Sequence, residues 1–89
     1  MAPILRFPED FDDFAWEVEA KGVYTLDVVR SDGQVRRVTF AVTARLAQDI
    51  ESEILHQGFF AEQRLVVLKQ LTRDEMEAAV ARLGDSFLD

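Results

Sequence analysis

The sequence predicts an α+β domain in which a small sheet of three to four strands carries helices packed on one face. Two observations lead to this prediction. Residues 23–42 alternate apolar and polar positions around Ser31-Asp32-Gly33, as in a β-hairpin, and residues 73–83 have the start and stop signals of a helix. The chain has 89 residues, so we expect one domain spanning residues 1–89.

Before the hairpin, residues 4–7 are a candidate first strand, and residues 8–21 have two interpretations, of which the first is a helix at about 9–21. The helix interpretation has acids at the start, Lys21 at the end and Gly22 just beyond. Its apolar face would hold Phe11, Phe14, Ala15 and Val18. In the alternative, a strand, one face would hold Phe14, Trp16, Val18 and Ala20. We favour the helix, because its end signals and its apolar stripe agree.

The register of the hairpin follows from the parity of its apolar positions. Successive strand residues point to opposite faces, so a two-residue turn would place the two apolar sets on opposite faces. A three-residue loop instead places Leu26 opposite Val38, with Gly33 in the left-handed conformation. The next apolar pair is Tyr24 and Phe40. The other face, expected to be wet or at an interface, carries Thr25, Asp27, Arg37 and Thr39.

A second helix is predicted at residues 44–57. Thr43 is a candidate N-cap, because its hydroxyl can accept a hydrogen bond from the first turn. Gly58 suits the position after the C-cap, where Phe59 is expected to pack back on Ile54.

The last elements are a strand at residues 64–69 and a third helix at 73–83. The continuous apolar run of the strand indicates burial on both faces. In the helix, the hydroxyl of Thr72 is expected to accept a hydrogen bond from the N–H of Glu75, as in a capping box. A short apolar tail, residues 85–89, is either docked on the body or held for a partner.

The element order is therefore (β)αββαβα. If residues 4–7 form a strand, the first six elements follow the order of the split βαβ, ferredoxin-like arrangement. That match is one of element order alone and indicates no function.

The composition limits the classes of function. The net charge is −7, and residues 1–21 hold six acids against two bases, so we expect no binding to nucleic acid or to an anionic membrane. Without cysteine the chain has no disulfide and no thiolate metal site. We read no signal peptide and no apolar run of membrane-spanning length, and so expect a cytoplasmic protein.

The strongest candidate for function is an acidic surface that binds a basic partner. Trp16 falls outside the apolar stripe of the predicted helix and stands among acids, as an interface anchor would. The candidate partner-binding residues are Asp10, Asp12, Asp13, Trp16 and Glu17, with a second acidic stretch at Asp49–Glu53. An adaptor, or a neutraliser of the antitoxin or immunity kind, would suit this size and charge.

No motif predicts catalysis or a cofactor. The acids of residues 9–13 lack the alternation and glycine of a calcium loop, and the four glycines form no phosphate-binding loop. His56 has no orienting partner at a catalytic spacing, and its place in the last turn of a helix suits a dipole role. We therefore expect a non-enzyme with no catalytic residue, no metal and no cofactor.

Two alternatives come from other classes. The chain could be a dimeric small-molecule-binding or small-enzyme subunit, with an aromatic pocket between sheet and helices formed by Tyr24, Phe40, Phe59 and Phe60. It could also be a structural subunit of a larger assembly, docked through the tail at 85–89. Both a monomer and a homodimer are compatible with the sequence.

Overall fold

The computed structural model describes residues 3–89 and contains four strands and three α-helices in the predicted order. The strands are β1 (Ile4–Leu5), β2 (Val23–Val29), β3 (Val35–Val42) and β4 (Leu65–Leu68). The helices are α1 (Phe11–Lys21), α2 (Thr43–Gln57) and α3 (Arg73–Leu83), followed by a 3₁₀ turn, Asp85–Leu88. The predicted α+β class is confirmed.

The four strands form one mixed sheet in the order β1-β2-β3-β4. β2 is antiparallel to both of its neighbours, β1 and β3, whereas β3 and β4 are parallel. The chain thus has the element order of a split βαβ fold but a different arrangement in space. β1 lies directly beside β2, so no strand is inserted between them.

The predicted hairpin register is confirmed. Leu26 stands opposite Val38 and Tyr24 opposite Phe40. The loop is closed by the N–H of Arg30, which donates to the carbonyl of Gln34 at 2.8 Å, and Gly33 has φ 89°. This left-handed conformation is the one that ends a three-residue hairpin loop.

The core lies on one face of the sheet, between the sheet and two helices. Alternate residues of β2 and β3 point into it, as the register requires. The buried core consists of Phe11, Val18, Leu26, Val28, Val38, Phe40, Val66, Leu71, Met76, Val80 and Leu88. Of these, the residues from α1 and α3 are Phe11, Val18, Met76 and Val80. We call this side of the sheet the core face.

α2 lies against the opposite face. It contributes no buried residue, and its Asp49 and Ser52 border a cleft with Thr25 and Thr39, which point away from the core face. The expected packing on one face therefore holds for α1 and α3, whereas α2 occupies the other. A parallel pair of strands needs a crossover connection, and α1 and α3 already fill the core face.

The two interpretations of residues 8–21 are resolved in favour of the helix, α1, which begins at Phe11 rather than at about residue 9. It ends at Lys21, and the C-cap residue Gly22 has φ 75°. A Cβ atom at Gly22 would lie 2.8 Å from Cγ2 of Val42, so both conformation and close packing require glycine here.

The helix starts are predicted correctly at α3 and incorrectly at α2. The N–H of Glu75 donates to Oγ1 of Thr72 at 3.2 Å, as the capping box requires. Thr43, however, is the first helical residue, and the extended residue before it is Val42, so the predicted N-cap role of Thr43 is wrong.

The second half of the chain is more open than the sequence predicts. β4 is an edge strand in which only Val66 is buried, so its apolar run does not indicate burial on both faces. Gly58 has the expected left-handed conformation at the end of α2, but Phe59 and Ile54 are both more than half exposed. Their expected contact therefore buries neither side chain.

The tail docks on the domain itself. Leu88 is fully buried, and Asp85 accepts a hydrogen bond from the N–H of Ser31 at 3.1 Å. This hydrogen bond lowers the pKa of Asp85. An ion pair joins Arg30 to Asp89. The tail is thus part of the core and of the contact with the hairpin loop, and it is not held free for a larger assembly.

We predict that Leu88→Ala destabilises the domain by about 2–5 kcal/mol, because it opens a cavity in the core. Urea unfolding followed by circular dichroism measures this change. The matched control is Leu55→Ala, at a position that is 80% exposed, which should cost less than about 0.5 kcal/mol. Equal stability of the two variants would show that the tail does not pack as described.

Candidate functional site

The outer face of α1 presents a tryptophan surrounded by acids. Trp16 is 66% exposed. On a helix its neighbours are the residues three and four positions away. These neighbours are Asp12, Asp13, Glu19 and Ala20, all exposed. We define the outer face of α1 as Asp12, Asp13, Trp16, Glu17, Glu19 and Ala20.

The opposite side of the helix explains why Trp16 points outward. Phe11 and Val18 are buried against the core face, and Phe14 is half-buried. The Phe11 ring lies 5.4 Å from the Phe14 ring and 5.5 Å from that of Tyr24, measured between centroids. This aromatic cluster fixes the rotation of the helix, because turning Trp16 inward would expose Phe11 and Val18 to water.

Within residues 3–89, Asp12 is the one carboxylate of this face that forms an ion pair. Asp12 lies 3.9 Å from Nη1 of Arg73, a distant and exposed ion pair worth little to stability. The five predicted partner-binding residues, Asp10, Asp12, Asp13, Trp16 and Glu17, are all exposed and lie on α1 or at its first turn. The structure therefore places four residues of the predicted set on α1, with Asp10 as the N-cap residue directly before it.

Beside α1 runs a cleft of about 260 Å³ that the sequence does not predict. Its apolar wall comes from the helix and from the start of β2, and two charged side chains of α1 stand at its rim. The cleft, which we call the α1–β2 cleft, is lined by Phe14, Glu17, Val18, Lys21, Val23, Tyr24 and Thr25. Because Glu17 belongs to both features, the cleft adjoins the outer face of α1.

The floor of this cleft is an open strand edge. Arg30 donates to Gln34 and Val42 donates to Gly22, so the even-numbered residues of β2 make the hydrogen bonds to β3. The odd-numbered residues direct their N–H and C=O groups the other way. Among residues 3–89, only β1 pairs with β2 on that side, opposite Val28 and Val29, and the N–H of Arg6 just after β1 donates to the carbonyl of Asp27 at 2.9 Å. The backbone of Thr25 therefore faces the cleft without a neighbouring strand.

Tyr24 reports on the electrostatics of this cleft. Its pKa is raised, mainly because burial disfavours the charged phenolate and also because the nearby carboxylate of Asp10 repels it. The neutral phenol is therefore the form present around pH 7. It gives the cleft a polar group that can donate or accept a hydrogen bond.

The four residues of the predicted aromatic pocket are not brought together. Phe40 is fully buried in the core, and Tyr24 lies on the same face, in contact with Phe11. Phe59 is exposed after the end of α2, and Phe60 borders the cleft on the opposite face of the sheet. The sheet thus separates Tyr24 and Phe40 from Phe60.

The second acidic stretch lies on the other side of the sheet from α1. Asp49 pairs with Arg45 at 3.1 Å, and Glu53 accepts a hydrogen bond from Gln57 at 3.1 Å. These acids belong to α2, which packs on the opposite face, so they do not extend the outer face of α1.

Other chemistry-bearing residues are scattered. His56 is exposed in the last turn of α2. Within residues 3–89, no three His, Asp or Glu side chains are grouped as a metal ion would require. None of the helices in that part of the chain has the length and apolar character needed to cross a bilayer.

We predict that the pKa of Tyr24 lies above that of the unfolded chain and falls in Asp10→Asn, though not fully, since burial remains. Because folding raises the pKa of Tyr24, the protonated phenol stabilises the folded domain. This stabilisation is complete below the pKa of Tyr24 in the unfolded chain, and it is lost as the pH rises through the pKa of Tyr24 in the folded domain. Absorbance of tyrosinate measures it directly, as Tyr24 is the one tyrosine. Glu51→Gln, on α2, is the control. An unchanged titration in Asp10→Asn would contradict the geometry.

Comparison of the chain with family models, with curated proteins and with solved structures found no match in any of the three. What the protein does has therefore to be inferred from its own residues. Two adjoining features of α1 are available for that: its acidic outer face around Trp16, and the α1–β2 cleft.

Proposed function

We propose that this chain is a non-catalytic, cytoplasmic protein-binding module that uses the outer face of α1 to bind a basic partner. The observation that carries the proposal is the position of Trp16, exposed at the centre of a helix face and surrounded by carboxylates. A large exposed aromatic side chain in this setting matches the usual composition of a binding hot spot.

The two parts of the face have different roles. The carboxylates attract a positively charged partner over a distance and favour the correct orientation of the encounter, which raises the association rate. Trp16 would then supply the apolar contact that slows dissociation, because its ring buries a large area with few rotatable bonds. Ala20, one turn after Trp16, is small and leaves room for a side chain of the partner to cover the indole.

The α1–β2 cleft supports binding of an extended segment. An open strand edge can accept an added strand, whose backbone bonds give affinity while alternate side chains enter the neighbouring groove. Here the backbone of Thr25 is the edge, and Phe14 and Val18 are the apolar wall. Glu17 at the rim favours a basic residue in the incoming segment, whereas Lys21 at the end of α1 favours an acidic one beside it.

The cleft favours a peptide over a small molecule. Its volume of about 260 Å³ is below the range of about 300–1,000 Å³ typical of pockets that enclose small ligands. It is also open along a strand edge. An adaptor, or a neutraliser of the antitoxin or immunity kind, is the class of protein that such a surface would suit.

We predict that a fluorescent peptide of alternating lysine and valine binds this protein and that one of alternating glutamate and valine does not. Reversing Asp10, Asp12 and Asp13 to Lys should weaken binding of the lysine peptide about 10- to 100-fold, since several favourable charge contacts become repulsive. Trp16→Ala should weaken it about 10-fold. Fluorescence anisotropy gives the dissociation constants.

The matched control is a pair of single reversals that change the net charge equally, Asp13→Lys on the outer face of α1 and Glu51→Lys on α2. Asp13→Lys should weaken binding of the lysine peptide, whereas Glu51→Lys should leave the affinity close to that of the original protein, because Glu51 borders neither the α1–β2 cleft nor the cleft on the opposite face of the sheet. Circular dichroism verifies that all variants fold. Equal binding of the two peptides, or equal loss of affinity in Asp13→Lys and Glu51→Lys, would sink the proposal.

A further inference from the structure

The second open edge of the sheet belongs to β4. The N–H of Thr39 on β3 donates to the carbonyl of Arg64 at 3.1 Å, which sets the alternation of the parallel pair. Val66 therefore bonds to β3, while the backbone N–H and C=O groups of Leu65 and Val67 point away from the sheet. Within residues 3–89 no strand lies on that side of β4. An exposed apolar edge strand is a template for pairing with another chain.

A groove of about 400 Å³ lies between this edge and α3. We call it the β4–α3 groove. It is bordered by strand residues 66–68 and by the helix residues Glu75, Ala78, Ala79, Arg82 and Leu83. Two large apolar side chains remain open to water beside it: Val67 is 46% exposed and Leu83 is 42% exposed. The alanines at its centre leave space for a second backbone to approach closely.

The charged residues at the two ends of the groove have opposite signs, so the groove of one copy is complementary to the groove of a second copy. Glu75 stands at one end of the α3 stripe and Arg82 at the other, seven residues apart, with Ala78 and Ala79 midway. No ion pair within residues 3–89 involves the side chain of Glu75 or Arg82. A two-fold dimer needs a surface that fits itself, and an acid and a base at equal distances from a centre meet that need.

We propose that a second copy of this chain docks along the β4–α3 groove, so that the two β4 strands pair antiparallel about a two-fold axis. The sheets of the two copies then form one continuous sheet. This surface is separate from the outer face of α1 and from the α1–β2 cleft, so the proposed partner binding and the dimer do not exclude each other.

The register of the new strand pair follows from parity. Residues that stand opposite each other in an antiparallel pair point to the same face. Leu65 and Val67 share a face, and both direct their backbone groups outward. Leu65 of one copy therefore stands opposite Val67 of the second, and the two Val66 residues stand opposite each other at the two-fold axis. Each Leu65–Val67 pair exchanges N–H and C=O bonds, and both side chains lose exposed apolar surface.

The same axis makes the two α3 helices antiparallel. Glu75 of each copy then faces Arg82 of the other, and the alanines meet at the centre. These two ion pairs specify a second copy over an unrelated partner, because they form twice in one register and become repulsive in most others.

The experiment is sedimentation equilibrium of the purified chain over a range of concentrations. The expected result is a reversible equilibrium between a 10.2 kDa monomer and a species of twice that mass. Glu75→Arg alone and Arg82→Glu alone should each weaken the dimer about 10-fold or more, because like charges then face each other. An equimolar mixture of these two variants should restore a dimer, since opposite charges face each other again.

Val67→Lys provides a second test that leaves the core unchanged, because Val67 points away from the core face. It should prevent the dimer, as a lysine on an edge strand discourages pairing. The matched control is Val35→Lys, also on an exposed valine of the sheet but far from β4, which should dimerise normally. A monomer at every concentration would overturn the proposal. A dimer insensitive to both charge variants, or one that their mixture fails to restore, would overturn it equally.

Discussion

The register of the β2–β3 hairpin is the constraint on which the rest of the structure depends. The three-residue loop pairs Leu26 with Val38, and this places every large apolar side chain in the middle of the two strands on one face. A slip of β3 by one residue would turn Val38 and Phe40 away from the core face and Thr39 toward it. The loop is held in turn by the docked tail, through the hydrogen bond from the N–H of Ser31 to Asp85.

The register decides which face of the sheet is the core face. The helices α1 and α3 cover that face, but they leave the two edges of the sheet without a covering strand. β1 is only two residues long and protects only the end of β2, and within residues 3–89 no strand lies on the outer side of β4. Each candidate surface lies where a helix of the core face runs beside one of these open edges. The first surface, beside the edge of β2, is acidic and adjoins Trp16, so it is suited to a basic partner. The second is nearly balanced in charge and complementary to itself.

Part of this architecture is readable in the sequence because it depends on neighbouring residues. Capping signals locate α3 through Thr72 and Glu75, and side-chain parity fixes the hairpin. The exposure of Trp16 follows once residues 9–21 are taken as a helix. The acidic half of the candidate site is therefore predictable from spacing alone.

The rest depends on contacts between distant parts of the chain. The apolar run of β4 is compatible with a central strand and with an edge strand, and only the sheet order decides between them. The face that α2 occupies depends on the space that α1 and α3 leave. The α1–β2 cleft exists because β1 stops short of Thr25. The length of β1 cannot be predicted from residues 4–7, because so short a segment shows no periodicity.

The central claim is that both edges of the sheet are open, at Thr25 and at Val67. Amide hydrogen exchange measured residue by residue by NMR, at low protein concentration, tests it most directly. The structure predicts fast exchange at Thr25 and Val67 and strong protection at their neighbours Leu26 and Val66, whose N–H groups bond to β3. Protection of Thr25 or Val67 equal to that of these neighbours would contradict the open edges and both surfaces inferred from them.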